Sequence, residues 1–221
     1  MIETDDPMPE MTTDLTGRIL SLLLDRYGTH PWNWHTQQKP FEVLIATVLS
    51  QRTRDEKTDE AARALFSEYA SAAALADAPI EEIERLIRPV NYFKTKAQRI
   101  KQISRILVEQ YCGAPPESVE EMLKLPGVGL KTASCVMVYG FKKAAMPVDI
   151  HVHRISNRIG LIETKTPEES EKALWKVVPN DYLLHINELL VKHGQTICRP
   201  ITPRCTECPV QDYCLYNRKK L

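Results

Sequence analysis

Leu125-Pro-Gly-Val-Gly-Leu-Lys-Thr-Ala133 lies between two segments, Ser118 to Leu125 and Leu130 to Phe141, whose apolar residues recur at intervals of three and four. That spacing predicts a helix on each side and a tight turn at Pro126-Gly-Val-Gly129. Gly127 and Gly129 permit such a turn and leave backbone N–H groups uncovered by side chains. Those amides, with the N-terminus of the following helix, can hold a phosphate oxygen. A contact of that kind is blind to base sequence. Taken alone, the turn also fits an ordinary helix–helix connection. Lys131 falls in the first turn of the second helix. The helix dipole disfavours its ammonium form, and desolvation in a cleft adds to that. The neutral amine so favoured is a nucleophile able to form a Schiff base. On spacing alone, a solvent-facing lysine or a second phosphate contact accounts for it more readily.

Outward from this stretch the helical spacing continues almost throughout. It predicts a helix over Leu15–Tyr27, with Asp14 as N-cap and Gly28 at the end, then a loop from His30 to Lys39 that holds Pro31, Trp32 and Trp34. Pro40 opens Phe41–Leu49, and Asp55 caps a helix running to Tyr69. Pro79–Arg88 is a short helix stopped by Pro89, and Lys94–Tyr111 a longer one that ends at Gly113-Ala-Pro-Pro. Further helices are expected at 150–159, 168–177 and 181–192, with a loop-like stretch from Gly194 onward. No long β-branched alternation is present, so the fold class is all-α. No flexible linker is evident, so any two domains are expected to pack closely.

Composition excludes several classes. Hydrophobic residues make up 43% and charged residues 26% of 221, ordinary for a globular chain and unlike a disordered, collagen-like or coiled-coil one. Apolar runs such as Ile45 to Leu49 are too short to span a bilayer. The acidic start, Met1-Ile-Glu-Thr-Asp-Asp6, has no basic leader region, and the expected location is cytoplasmic. Net charge is zero, from 29 basic and 29 acidic residues, but the charge is unevenly spread. Residues 1–16 carry five acids and no base, residues 85–143 eleven Lys or Arg against four acids, and residues 192–221 six against two. Two basic regions in a neutral chain can form a positive face for nucleic acid, or simply solvated helix faces.

Two further motifs carry chemistry. Asp149 stands in Pro147-Val-Asp-Ile-His-Val-His-Arg154, where it can cap the helix that starts at Ile150. It can also act as a proton acceptor or face a developing sugar cation. The two roles are compatible. His151 and His153, two residues apart on a helix, point their rings apart and are not read as a metal site. Of six cysteines, Cys112 and Cys135 stand alone and are expected to be small buried apolar residues. Cys198, Cys205, Cys208 and Cys214 form C-x6-C-x2-C-x5-C. Four thiolates in that cluster point to metal rather than disulfides, with zinc and an iron–sulfur cluster both compatible with the spacing.

Together these features resemble the endonuclease III branch of the helix-hairpin-helix DNA glycosylases. The carriers are Phe41-Glu-Val-Leu-Ile-Ala-Thr-Val-Leu-Ser-Gln-Arg-Thr-Arg-Asp55, the LPGVGLKTA stretch with Lys131, Val148-Asp-Ile-His-Val-His-Arg154, and the cysteine cluster. The resemblance runs from Phe41 to Cys214 and implies a two-domain all-α fold. A six-helix barrel domain with the helix-hairpin-helix would cover 33–143. An iron–sulfur domain would be built from 14–32 and 144–221, with 1–13 a disordered tail. It implies a [4Fe–4S] cluster on Cys198, Cys205, Cys208 and Cys214. The implied activity is a bifunctional DNA N-glycosylase and AP lyase of base excision repair. Such an enzyme removes oxidised pyrimidines flipped from duplex DNA, through Lys131 attack on the anomeric carbon with help from Asp149, and nicks 3′ to the abasic site by β-elimination.

Gln51, Arg52, Gly127, Gly129, Arg154 and Arg204 are the implied DNA contacts. Double-stranded DNA with damaged pyrimidines or abasic sites is the implied partner, for a nucleoid-associated monomer that binds no membrane. Relatives often carry Thr where this chain has Ile150, and a Gln one position after Gln51, so either Gln51 or Arg52 is the candidate to fill the space left by a flipped base. Two other readings compete. A T/G or U/G mismatch glycosylase without strand nicking has no need of Lys131. A non-catalytic DNA-binding iron–sulfur redox sensor has no need of Lys131 or Asp149.

Overall fold

The computed structural model describes residues 12–28 and 39–218. The expected disordered tail at 1–13 lies outside them except for Thr12 and Thr13, and the expected loop holding Pro31, Trp32 and Trp34 lies outside them except for Lys39. Among the described residues there are helices and connecting turns and no strand, the all-α class that the apolar spacing predicts. No helix among them is long and apolar enough to cross a membrane. They divide into two compact units, one of residues 12–28 and 148–218 and one of residues 39–147.

The unit of residues 39–147 is built around α2 (Pro40–Ser50). Its residues Phe41 and Val43 to Leu49 are all buried. A helix apolar on every side has no solvent face and must sit at the centre of a packed body. Against it pack α3 (Asp55–Glu68), α6 (Phe93–Gln110) and α8 (Leu130–Cys135), with α4 (Ala72–Asp77) and α5 (Ile80–Leu86) on α6 and α7 (Val119–Met122) on α8. The predicted single helix from Leu130 to Phe141 is interrupted. After Cys135 the chain widens into a π turn, Val136–Gly140, in which Phe141 N–H reaches back to Val136 O at 3.0 Å. The turn is pressed onto α2, where a Cβ on Gly140 would lie 2.9 Å from Pro40 Cα, so tertiary packing overrides the regular helix here.

The unit of residues 12–28 and 148–218 contains α1 (Thr13–Tyr27), α9 (Ile150–Ile159), α10 (Pro167–Val177), α11 (Ile186–Thr196) and the short α12 (Leu215–Arg218). α11 supplies the centre, packed on α9 and α1 through Ile186, Leu189, Leu190 and Val191.

Several local expectations are corrected. Thr12, not Asp14, caps α1, its hydroxyl accepting from Leu15 N–H, while Asp14 lies inside the first turn where its charge meets the helix dipole. Asp55 is the first residue of α3 rather than its cap. The alanine-rich α4 went unanticipated; Ser71 starts it by accepting from Ala74 N–H. α11 starts five residues later than expected and continues to Thr196, preceded by a 3₁₀ turn at Asn180–Tyr182. The stretch expected to be loop-like holds two 3₁₀ turns, Cys205–Glu207 and Gln211–Tyr213, and α12. Cys112 is exposed rather than buried, because it follows the end of α6 in a left-handed conformation (φ +52°); Cys135 is buried as expected.

Candidate active site and metal centre

The hairpin forms where the sequence places it, between α7 and α8. Leu125 and Val128 are buried and anchor it, and Val128 N–H closes the turn on Leu125 O at 3.1 Å. Its two glycines are not equivalent, which corrects the expectation that both serve the turn. Gly127 adopts φ +73°, and a Cβ there would come within 2.2 Å of the Arg99 side chain. Gly129 has an ordinary extended backbone (φ −99°, ψ 177°), and a Cβ built on it meets nothing within 4 Å. Nothing in the folded chain itself requires glycine at 129. Lys131, the second residue of α8, is exposed.

Behind the hairpin stands the turn that follows α2. Gln51 Nε2 donates to Gly127 O at 3.0 Å and lies 3.4 Å from Thr132 Oγ1, while Arg99 Nη1 donates to Gln51 Oε1 at 3.3 Å. The Gln51 side chain is thus engaged with the hairpin. Arg52 is exposed and holds a left-handed backbone, φ +55°, uncommon for a non-glycine residue. Sequence reasoning missed what maintains that conformation. Lys96, 3% exposed, donates to Leu49 O at 2.6 Å, Gln51 O at 2.7 Å and Thr53 Oγ1 at 2.9 Å. Asn91 adds Nδ2 to Arg52 O at 2.6 Å. Burial, and then the charge on Arg99, push the Lys96 ammonium down to about 8, while its three acceptors match the three N–H donors of the charged form. A signal was available: Lys96 sits four and seven residues before Ile100 and Ile103, on the buried stripe of α6.

In the other unit, Asp149 caps α9. Oδ1 accepts from His151 N–H at 2.9 Å and Val152 N–H at 2.8 Å, so one carboxylate oxygen makes the whole cap. Pro147 and Val148 before it are buried, and Ile150 after it is 71% exposed. Arg154, a candidate DNA contact, is spent on its own unit. Its Nη2 donates to Cys198 O at 3.0 Å and lies 3.2 Å from His151 Nδ1. Burial and the neighbouring Arg158 charge lower its pKa, partly offset by Cys198 and Asp149. Arg204 is exposed and lies 3.6 Å from Glu207.

The four clustered cysteines are free of disulfides and line one pocket, with Ile159, His193, Ile197 and Tyr216 among its walls. Among the described residues no group of three or more His, Cys, Asp or Glu side chains is placed to hold a metal ion. Burial pushes the Cys208 thiol up to about 11 and raises Cys214 as well, the nearby cysteines adding to both. Arg158 faces the cavity from α9. Its Nη1 lies 3.7 Å from Cys198 Sγ, it donates to Arg199 O and Pro200 O, and its guanidinium stacks 4.5 Å over the Tyr216 ring. His193 Nε2 lies 3.6 Å from Cys208 Sγ. Burial, and then Arg154, push His193 down to about 4.

Residues 45–180 match the HhH-GPD superfamily of base excision DNA repair proteins. The chain is 51% identical over 186 residues to endonuclease III of Thermotoga maritima, covering 84% of this chain and 87% of that protein. This chain belongs to the endonuclease III family. Its enzymatic class is accordingly DNA glycosylase and AP lyase, within base excision repair. The fold agrees. A trapped endonuclease III–DNA covalent intermediate superposes with a TM-score of 0.85 at 30% identity, over 95% of this chain and 98% of that one. A thermostable thymine-DNA glycosylase is also similar, with a TM-score of 0.81 at 26% identity over 92% and 97%. The mismatch glycosylase and sensor readings are not favoured beside the endonuclease III family match.

Proposed function

We propose that the chain removes oxidised pyrimidines from duplex DNA with Lys131 as nucleophile and Asp149 as its assisting carboxylate. The Lys131 amine forms a bond to C1′ of the flipped nucleotide as the C1′–N bond to the base breaks and the base leaves with a proton. The amine gives up a proton, and its nitrogen lone pair then forms the C1′=N bond of a Schiff base as the C1′–O4′ bond breaks and O4′ takes up a proton. Removal of a C2′ proton then expels the 3′ phosphate, which is β-elimination and a nick 3′ to the lesion. Asp149 accepts the amine proton or faces the sugar cation; its Oδ2 takes no part in the helix cap.

The observation that carries this reading is the pair of Gly129 and Lys131. A glycine the fold does not need leaves space for a phosphate to approach the backbone two residues before an exposed lysine. Gly127 supports this by shaping the turn, and Arg52 by standing exposed on a braced left-handed turn, which makes it rather than Gln51 the residue to enter the space left by the base. Arg204 meets phosphate from the cysteine loop. Arg154 keeps that loop in place and is not proposed as a DNA contact. The unit of residues 39–147 is read as the six-helix barrel domain expected over 33–143, and the other as the iron–sulfur domain expected over 14–32 and 144–221. Borohydride treatment with lesion-bearing duplex tests the chemistry. Covalent trapping by the native chain and its loss in Lys131→Gln are expected; undiminished trapping in the variant assigns the chemistry to another amine.

The same family reading implies a [4Fe–4S] cluster on Cys198, Cys205, Cys208 and Cys214, and the donor set fits it. In a tetrahedral zinc site the Zn–S bonds are about 2.3 Å, which draws four sulfurs onto one point. A cluster takes the same four thiolates on separate irons; here the four thiols line one pocket, and Arg158 supplies positive charge beside them. When bound, the cluster holds the ends of the 198–214 loop and so fixes Arg204. Iron analysis and the visible spectrum of the purified protein check it: four irons per chain support the cluster, and one zinc in an active colourless protein overturns it.

A further inference from the structure

Behind the cysteine cavity, polar side chains run in a line from a cysteine sulfur out to α1. His193 on α11 is 1% exposed, and both its ring nitrogens are occupied. Nε2 faces Cys208 Sγ at 3.6 Å, and Nδ1 lies 3.0 Å from the Tyr27 hydroxyl, the two rings edge to face with centroids 6.0 Å apart. The Tyr27 oxygen also lies 3.2 Å from Thr196 Oγ1, which bonds Lys192 O at 2.7 Å. A neutral imidazole carries one N–H, and either nitrogen can hold it. A metal-bound thiolate only accepts. With Cys208 as a ligand, the proton must therefore sit on Nε2, which leaves Nδ1 as the acceptor of the Tyr27 hydroxyl proton. The reverse tautomer would set a nitrogen lone pair against a thiolate lone pair in a buried site.

We propose that His193 donates Nε2–H to the Cys208 sulfur of the bound iron–sulfur cluster, with the Tyr27 hydroxyl against its Nδ1, and that this bond sets the cluster's reduction potential. The inference rests on the cluster reading above. A donor to a ligand sulfur draws off negative charge and so favours the form that holds the additional electron. Neither residue is needed to complete the ligand set, which is already four thiolates. Arg158 directs its guanidinium toward Cys198 and its carbonyl toward Cys214, and backbone N–H groups of Val210 on Cys208 and of Tyr216 and Asn217 on Cys214 also face the sulfurs; His193 is the side chain that lies against Cys208.

The test uses the full-length protein loaded with its cluster. Iron content is measured first, then the midpoint potential at an electrode that supplies or removes one electron, then resonance Raman bands of the Fe–S(Cys) stretches in H₂O and D₂O. His193→Phe is expected to keep four irons per chain, to move the midpoint to lower potential, and to lose the D₂O-induced shift of one Fe–S(Cys) band. Tyr27→Phe keeps the imidazole and its Nε2–H but removes the hydrogen bond at Nδ1, which makes Nε2–H a weaker donor, and is expected to shift the midpoint in the same direction by less. If His193→Phe does not fold, Tyr27→Phe and the native D₂O shift carry the test alone. Full iron with an unmoved potential in the variants, or a native cluster insensitive to D₂O, overturns the assignment of His193 and leaves the cluster standing. A native protein that binds no iron instead overturns the cluster reading, and this one with it.

Discussion

The hairpin at Pro126–Gly129 is held by the protein's own groups: buried Leu125 and Val128, a closing backbone bond, Gln51 on the Gly127 carbonyl and Arg99 behind it. The loop from Cys198 to Cys214 is built from two 3₁₀ turns and a cavity edged by four thiols, two of which burial drives away from ionisation. One region is complete when the chain has folded; the other, on the cluster reading proposed above, is completed by a group the chain does not encode. Chemistry can therefore be removed from the hairpin without unfolding it, whereas any change to the thiols of the loop is a change to its architecture. Metal binding at such a site deprotonates the thiols and contributes folding free energy directly.

The sharpest way to break that contrast is at Lys131. Its side chain is exposed on a self-supporting element, so Lys131→Gln should abolish base release and nicking while the melting temperature and affinity for undamaged duplex stay near native. A large loss of stability would mean that the hairpin leans on the lysine. At the other extreme, Cys208→Ala should remove the visible absorption and most of the iron and leave little soluble protein, as losing a structural metal does. A stable, iron-free, active Cys208→Ala protein would erase the difference between the two regions.

Asp149 sits between these cases, because it is both a cap and a proposed catalytic carboxylate. Asp149→Asn keeps a good cap, and stability should hold, while turnover falls by about 10²–10⁴, the usual worth of a general acid–base group. Full turnover in the Asn variant would reduce Asp149 to its cap. Within the hairpin, the two glycines should separate. Gly127→Ala places a side chain at φ +73° against Arg99 and should cost about 1–3 kcal/mol in denaturant unfolding. Gly129→Ala should leave unfolding unchanged and weaken DNA binding. Equal stability losses from both would return the second glycine to the turn. The smallest effect belongs to Arg204. Arg204→Ala should reduce the slope of log affinity against log salt by roughly 0.9, one phosphate contact, with iron unchanged. Loss of iron on that substitution would place Arg204 among the groups that hold the loop together.

What was legible in the sequence follows the same division. α9 and its Asp149 cap, Pro40 opening α2, and the Pro126–Gly129 turn are local signals, and the fold honours them within a residue. Signals decided by neighbours far along the chain were missed. The π turn depends on how closely Gly140 meets Pro40, and the left-handed Arg52 depends on Lys96 and Asn91, 44 and 39 residues away in sequence. Lys96 reads as one more base in a basic stretch until its phase against Ile100 and Ile103 is counted. Arg154 is a further case: the motif offers it as a DNA contact, and only the fold shows that it holds the Cys198 carbonyl, 44 residues on.

The capping geometry at Asp149 bears on how this position can change over evolutionary time. Both bonds that begin α9 fall on a single side-chain oxygen, and Asn, Ser and Thr each offer one. A descendant released from selection for activity would still be under selection to begin that helix, and its substitutions would be drawn from this short set. Inactive paralogues should therefore preserve a side-chain oxygen at the position, and hence the helix boundary, long after the charge is gone. A search that scores the position for capping residues in general would retain them. Only the carboxylate separates a lineage still under selection for turnover from one that merely keeps its shape.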